Sequence, residues 1–440
     1  MSYELIALSM FGAMMVMLLT GQRVFAAIGF VASAAALLLY GNGAIEMPYS
    51  QVFKAFNWFP LLTVPLFIYM GYILSESGIA EDLYKMLHVW FGRLRGGLAI
   101  GTILLMVIIS AMNGLSVAGM AIGATIALPE MLRRGYDKIM ISGVVQGGSS
   151  LGILIPPSVV LVLYGMIARQ PVGQLWLAGV FPGLIMAAIF VIYIVVRCKL
   201  NPALAPTVAD EDLNMPWSEK LRLLRAGILP FLIFFFMTGL FVFGYTSLVE
   251  SSAVGATCAT LAALYKRRLN WKVLKDTARN TLAISAMFMW LILAALAFGA
   301  IFDGLGAARA LENFVIGQLG LEPWMVLGIM MASFIILGVF LDDTAMLVIV
   351  APLYIPLVKA LGYDLVWFGV LYTITCQIAY ITPPFGYNLF LMRALAPKEI
   401  TLVDIYKSIW PFVAMMIVTI ILLMIFPQLA LWLPNTVYGK

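Results

Sequence analysis

A chain of 440 residues that is 63% hydrophobic and only 11% charged carries less than half of the roughly 25% charge of a soluble protein. It cannot cover a water-facing surface, and it reads as a polytopic membrane protein. One histidine, His88, and three scattered cysteines, Cys198, Cys258 and Cys376, exclude His-based metal clusters, zinc ligation and a disulfide framework; the net charge of +5 belongs to basic cytoplasmic loops rather than to nucleic-acid binding.

Apolar runs of spanning length occur at about 4–21, 24–41, 59–75, 173–196, 226–245, 248–265, 280–301 and 409–433, each near the ~20 residues that cross a hydrocarbon core. The first lacks a basic start and is followed at once by a second span, unlike a cleaved signal peptide. Two further apolar stretches, 97–168 and 323–396, are interrupted by glycine, proline and hydroxyl residues. Lys85, Arg93 and Arg95 precede the first, and Arg133, Arg134 and Lys138 interrupt it. Lys220, Arg222 and Arg225 mark a later loop, and Lys266, Arg267, Arg268, Lys272 and Lys275 another. With all of these in the cytoplasm, residues 97–133 enter and leave on one side as a re-entrant hairpin, and both termini fall outside. The linker 199–224, with its acidic run Asp210, Glu211 and Asp212, reads as a solvated cytoplasmic loop.

The two odd stretches are copies. Gly135-Tyr136-Asp137 recurs as Gly362-Tyr363-Asp364, Pro129 as Pro356, Pro156-Pro157 as Pro383-Pro384 and Glu76 as Asp303, all at an offset of 227. The second copy has only Arg309 and Lys359 on its flanks, so it opens to the side opposite the first. Inverted repeats with broken elements mark secondary transporters.

The first hairpin tip carries Ser110, Asn113, Gly114 and Ser116. It faces Gln146-Gly147-Gly148-Ser149-Ser150-Leu151-Gly152 and then Pro156-Pro157-Ser158. The second tip carries Asp342, Asp343 and Thr344, with Asp343 in the place of Ser116, and faces a break expected at Thr375–Pro384, followed by Asn388. Free backbone groups in hydrocarbon cost several kcal/mol each, so such tips are buried in protein or bind something. Carbonyl and hydroxyl oxygens at a broken helix suit Na⁺, and the N–H groups of the next half-helix suit an anion. The competing reading is packing: Ser and Thr bond their own helix, and Gly permits close approach. Asp137 and Asp364 read as N-caps. Arg169 and Arg393 read as snorkelling anchors, and His88 as a surface residue of an amphipathic segment.

Through Leu151-Gly-Ile-Leu-Ile-Pro-Pro-Ser-Val-Val-Leu-Val-Leu-Tyr-Gly165 and Ile381-Thr-Pro-Pro-Phe-Gly-Tyr-Asn-Leu-Phe390, the chain resembles the large membrane (M) subunit of the tripartite ATP-independent periplasmic (TRAP) transporters. The likeness covers essentially the whole chain. Glu250 in Leu248-Val-Glu-Ser-Ser-Ala253 resembles a Thr-Glu-Ala-Ala stretch of that family, without the preceding proline and threonine; the alternative for Glu250 is a polar contact between helices. The resemblance implies an all-α Na⁺-driven importer of organic acids, such as sialic acid or C4-dicarboxylates, in the bacterial inner membrane. It implies a soluble periplasmic binding protein, a small four-helix membrane (Q) subunit, no enzyme activity and no cofactor beyond the coupling ion.

An elevator follows from the same resemblance. Residues 97–168 and 323–396 form the transport domain, and 1–96, 169–322 and 397–440 the scaffold. Na⁺ is expected at Ser110, Asn113, Ser116, Gly148, Ser149 and Gly152 in the first junction. In the second junction it is expected at Gly338, Asp343, Thr344, Thr375, Ala379 and Thr382. Substrate is expected against Ser150, Pro157, Ser158, Asp342, Pro384 and Asn388. The rivals are a self-sufficient Na⁺/dicarboxylate symporter and, more remotely, an intramembrane aspartyl protease, whose Gly-x-Gly-Asp motif is absent.

Overall fold

The computed structural model describes residues 2–41, 43–92, 94–206, 215–318, 320–338, 341, 343–383 and 386–439, without the side chains of Ile316, Asp343 and Thr344. Every regular element among these residues is helical. The first third holds α1 (Tyr3–Leu19), α2 (Val24–Ala35), α3 (Glu46–Phe56), α4 (Thr63–Glu76) and α5 (Ile79–Phe91). The expected spans are helical, and among the described residues six helices are long and apolar enough to cross a membrane. The chain is a multi-pass membrane protein. The segment between the second and third apolar runs contains the helix α3. α5 is amphipathic: Asp82 pairs with Lys266, and Glu81 lies 3.2 Å from Arg268. The basic loop is thereby clasped to it, although exposed pairs of this kind contribute only about 0–1 kcal/mol each.

The first odd stretch folds as α6 (Gly97–Asn113), α7 (Ser116–Ile122), a π-turn at Gly123–Ala127 and α8 (Leu128–Arg133). Next come α9 (Lys138–Ser150), a 3₁₀ turn at Leu151–Ile153 and α10 (Val159–Ala168). Ten residues of α10 make about 15 Å of helix, half of a hydrocarbon core of about 30 Å. The middle of the chain is carried by α11 (Val172–Leu200), α12 (Trp217–Val242), α13 (Leu248–Tyr265) and α14 (Trp271–Gly304). The loop expected at 199–224 is thus shorter, because helix begins at Trp217; its acidic run lies outside the described residues. The second stretch follows as α15 (Ala307–Glu312), α16 (Pro323–Gly338), α17 (Asp343–Ala360), α18 (Leu365–Ile381) and α19 (Tyr387–Leu395). The expected last span, 409–433, is two helices, α20 (Leu402–Ile425) and α21 (Gln428–Tyr438). Pro427 breaks it by lacking the N–H a continuous helix needs.

Helix starts at 97, 116 and 138 recur at 323, 343 and 365, offsets of 226, 227 and 227. Gly135 and Gly362 both have φ +76°, the left-handed conformation that glycine enters without a Cβ penalty. Each is followed by a capping aspartate. Asp137 accepts from Met140 N at 2.9 Å, and Asp364 from Val366 N and Trp367 N at 2.7 and 3.0 Å. Both N-cap readings hold.

The helices after the breaks cross over between the halves. α10 packs on α17 and α18 of the second copy, and α19 on α7 and α9 of the first. α20 packs on α9 and α18, and α11 on α6, α10 and α18. Phe412 of α20 sits over Gly143 and Gly147 of α9; small residues four apart let the two backbones approach, as in membrane helix pairs generally. A second group, α2, α3, α4, α13 and α14, packs together and meets the hairpins through α4 on α6 and α14 on α17.

Candidate functional site

The first hairpin tip is docked into the first helix break. Asn113 ends α6, and its Oδ1 accepts from Leu115 N at 3.0 Å, which turns the chain. Gly114 sits at φ +65°, and a Cβ there would fall on the carbonyl of Pro157. Val159 N–H donates to Gly114 O at 3.4 Å. A Cβ on Gly152 would lie 3.0 Å from Leu115 O. Ser110, Asn113, Ser116 and Ser149 are all at least 97% buried. The expected first junction is therefore one compact place. Gly148 differs from the others, because it faces Ile103 and Met106 of α6, so its closeness is one of apolar packing.

Asn388 also belongs here, although it lies in the second copy. Its Nδ2 donates to Ser116 Oγ at 2.9 Å and to Ser149 Oγ at 3.1 Å. The crossing of α19 onto α7 and α9 brings it in. Gly71 of α4 approaches the same tip, 3.4 Å from Asn113 O measured from an added Cβ.

At the second junction Gly338 lies so close to Ala379 that a Cβ would overlap it. The end of the first arm, α16, thus meets the facing helix α18. The break itself begins later than expected, since α18 continues through Thr375 and Ala379 to Ile381. Its end is set by Pro383, which drives Thr382 into extended backbone (φ −101°, ψ 131°), as a following proline does to any residue. Thr375 is buried inside the helix and donates to Tyr372 O at 2.6 Å; Thr382 donates to Ile378 O at 2.6 Å. Asp343 opens α17. Its side chain and that of Thr344 lie outside the described residues, as do Asp342 and Pro384.

The residues expected against substrate in the first copy have other partners. Ser158 caps α10, accepting from Leu161 N at 3.1 Å and donating to Ile153 O, while its own carbonyl accepts from Trp176 Nε1 at 3.4 Å. Ser150 Oγ donates to Gly147 O at 2.7 Å. Pro157 is buried against Gly114. This is a correction to the simple picture of hydroxyls facing a pocket: each hydroxyl is engaged with the backbone that the break frees, because buried polar groups are satisfied locally.

Glu250 makes a capping box with Ser247, accepting from Ser247 N at 2.7 Å while Ser247 Oγ accepts from Glu250 N at 3.3 Å. That replaces the expected polar contact between helices. Arg393 donates to Ile400 O at 3.1 Å. Arg169 caps α10 with φ +55°.

Three polar links escaped the sequence reading. Gln377 Nε2 donates to Ser150 O at 2.9 Å, Gln146 Nε2 to Ser408 Oγ at 3.1 Å, and Tyr164 OH to Leu365 O at 2.7 Å. Gln146 and Gln377 are fully buried, and buried amides between broken helices were a signal available in the sequence.

Comparison with known proteins identifies the family of the chain. A family model described as "Tripartite ATP-independent periplasmic transporter, DctM component" matches residues 11–429. The C4-dicarboxylate TRAP transporter large permease protein DctM of Pseudomonas aeruginosa is 31% identical over 414 residues, covering 92% of this chain and 93% of that one. The ectoine/5-hydroxyectoine TRAP transporter large permease protein UehC of Ruegeria pomeroyi is 28% identical over 440 residues, covering 99% and 100%. Among solved structures, the Alcanivorax borkumensis YdaH transporter shares the fold, with a TM-score of 0.64 at 17% identity over 89% of each chain.

Proposed function

Because the chain belongs to the tripartite ATP-independent periplasmic transporter family as a DctM component, we propose that it is the large permease of a Na⁺-coupled importer of an organic acid in the bacterial inner membrane. The family is one of transporter permeases, not enzymes, and such a permease works with a substrate-binding protein and a small membrane subunit. The observation that carries the reading is the docking of the first hairpin tip on a broken helix at Gly114–Pro157, with the end of α16 meeting α18 at Gly338–Ala379 in the second copy. Oxygens gathered at such a place suit a hard cation. In our reading Na⁺ is held at the first junction by the tip around Ser110, Asn113 and Ser116 with Ser149 and Gly152. At the second it is held by Gly338, Asp343, Thr344, Ala379 and Thr382. Backbone carbonyls and hydroxyl oxygens are the donors: Ser149 and Thr382 give their protons to Gln146 O and Ile378 O and keep oxygen lone pairs for the ion. The relatives' names point to small organic solutes, C4-dicarboxylates and ectoine, and carboxylates are the class they share with a site built of half-helix N-termini.

Movement follows an elevator scheme, with re-entrant hairpins and broken helices sliding against a fixed group containing α2, α3, α4, α13 and α14. We place α11 and α20 with the moving body, contrary to the expectation for 169–322 and 397–440. Their packing on α6, α9 and α18, with Phe412 locked over Gly143 and Gly147, would otherwise have to break in every cycle. The test is uptake into proteoliposomes holding this chain with its small subunit. Uptake of labelled succinate or another carboxylate should require both an inward Na⁺ gradient and the cognate binding protein. Robust Na⁺-driven uptake without the binding protein would identify a self-sufficient symporter, and uptake indifferent to Na⁺ would refute the coupling.

A further inference from the structure

Apart from both junctions, a cavity of about 760 Å³ lies where the end of α10 meets α3. Small-molecule pockets run to about 300–1,000 Å³. Its polar wall is Gln51 and Lys54 of α3, Arg169, Gln170 and Gln174 at the α10–α11 corner, and Tyr438 of α21. Two of these six are cations, and no described lining residue is a carboxylate.

The corner also supplies backbone donors. Pro171 is the N-cap of α11 and gives its first turn no side-chain hydrogen bond. The first amide of that turn with a backbone partner is Gln174, which donates to Pro171 O at 3.1 Å. A 29-residue helix therefore opens on the cavity with Val172 and Gly173 N–H uncapped, at the positive end of its dipole. Independently, Gln51 is only 5% exposed, lines the cavity, and has no side-chain hydrogen bond among the described residues. Buried amides are ordinarily completed by a partner, and the space in front of this one is the cavity.

We propose that this cavity is a second binding site, an anteroom for an organic carboxylate. The carboxylate sits between Lys54, Arg169 and the start of α11, and the body of the solute meets Gln51, Gln170, Gln174 and Tyr438. Segments 42–57 and 169–173 are the ones that the charge pattern puts on the outer side, so a solute reaches this site before either junction. Three amides and a phenol suit hydroxyl or amide groups on that solute better than an acyl chain. The choice of a carboxylate rests on the reading that the cargo is an organic acid, but the site itself asks nothing of Na⁺.

The full chain in neutral phosphatidylcholine nanodiscs, in choline chloride without Na⁺, is probed by saturation-transfer NMR with succinate, N-acetylneuraminate and the neutral control succinamide. Transfer to at least one of the two acids and none to succinamide is expected. The signal should fall at least fivefold in the Lys54→Gln, Arg169→Gln double variant, whose positions are exposed and do not threaten folding, and also in Gln51→Leu. Equal signals in wild type and the double variant, or none for either acid, overturn the proposal. In nanodiscs containing phosphatidylglycerol, loss of the acid signal together with a retained lipid that the double variant releases, read by native mass spectrometry, would assign the cavity to a lipid headgroup and also overturn it. Failure of Na⁺-coupled uptake with Na⁺-free binding intact would refute the transport reading alone.

Discussion

Gln377 Nε2 donates to the carbonyl oxygen of Ser150 at 2.9 Å, and the two positions are 377 − 150 = 227 apart, the same offset at which the halves of the chain repeat. Residues equivalent under a two-fold relation touch each other only near its axis. In the inverted-repeat reading the bond marks where the pseudo-symmetry axis passes, between α9 and α18. Replacing Gln377 by Leu should cost about 1–3 kcal/mol, the price of leaving a buried acceptor without its donor. Thermal unfolding of the purified protein should show a clear drop in midpoint, and an unchanged midpoint would deny the bond any part in joining the halves.

The tip glycine offers a sharper contrast. Gly114→Ala adds a methyl that falls on the Pro157 carbonyl, whereas Gly362→Ala, at φ +76°, meets nothing within 4 Å. Both substitutions carry the left-handed penalty of about 1 kcal/mol or somewhat more. Only the first should also cut uptake, by tenfold or more at equal protein in the membrane. Equal loss in the two variants would mean that backbone strain, not the tip–break fit, limits transport.

Asn113 positions the tip through its Oδ1 bond to Leu115 N. Asn113→Ala should raise the Na⁺ concentration for half-maximal uptake several-fold, while Asn113→Asp, which keeps an acceptor oxygen, should stay closer to wild type. Asp343→Ala and Thr382→Ala should shift the same curve through the second junction. An unchanged Na⁺ dependence in all of them would return these residues to packing.

Orientation is testable without transport. Single cysteines at Gly135 and Ala360 should react with an impermeant maleimide from opposite sides of the membrane. Labelling from one side would refute the inversion of the repeats.

Spans, hairpins and both proline breaks are legible in the sequence because each rests on a local rule: hydrophobic length, helix termination and the conformational limits before proline. The Asp137 and Asp364 caps are local in the same sense. Thr375 is misplaced because hydroxyl residues near a proline pair look like broken helix, while the helix in fact runs on to Ile381, just before Pro383. The meeting of Asn388 with Ser116 and Ser149 and the seating of Phe412 over two glycines depend on which helices become neighbours. No periodicity within one segment carries that information. Only the constant offset of 227 hinted at it, and it could have singled out Gln377 as the counterpart of Ser150.

The exchange of α10 and α19 has a consequence for how the molecule can be divided. Asn388 completes the centre built by the first copy, and Tyr164 of the first copy reaches Leu365 of the second. The first copy therefore does not own its centre outright. Two fragments cut between α11 and α12 would each be born incomplete, and activity should return only when both are made together. Within the intact chain the same interlock ties α19 to the first centre, so a substitution at Ser116 or Ser149 should be felt in the second copy through Asn388.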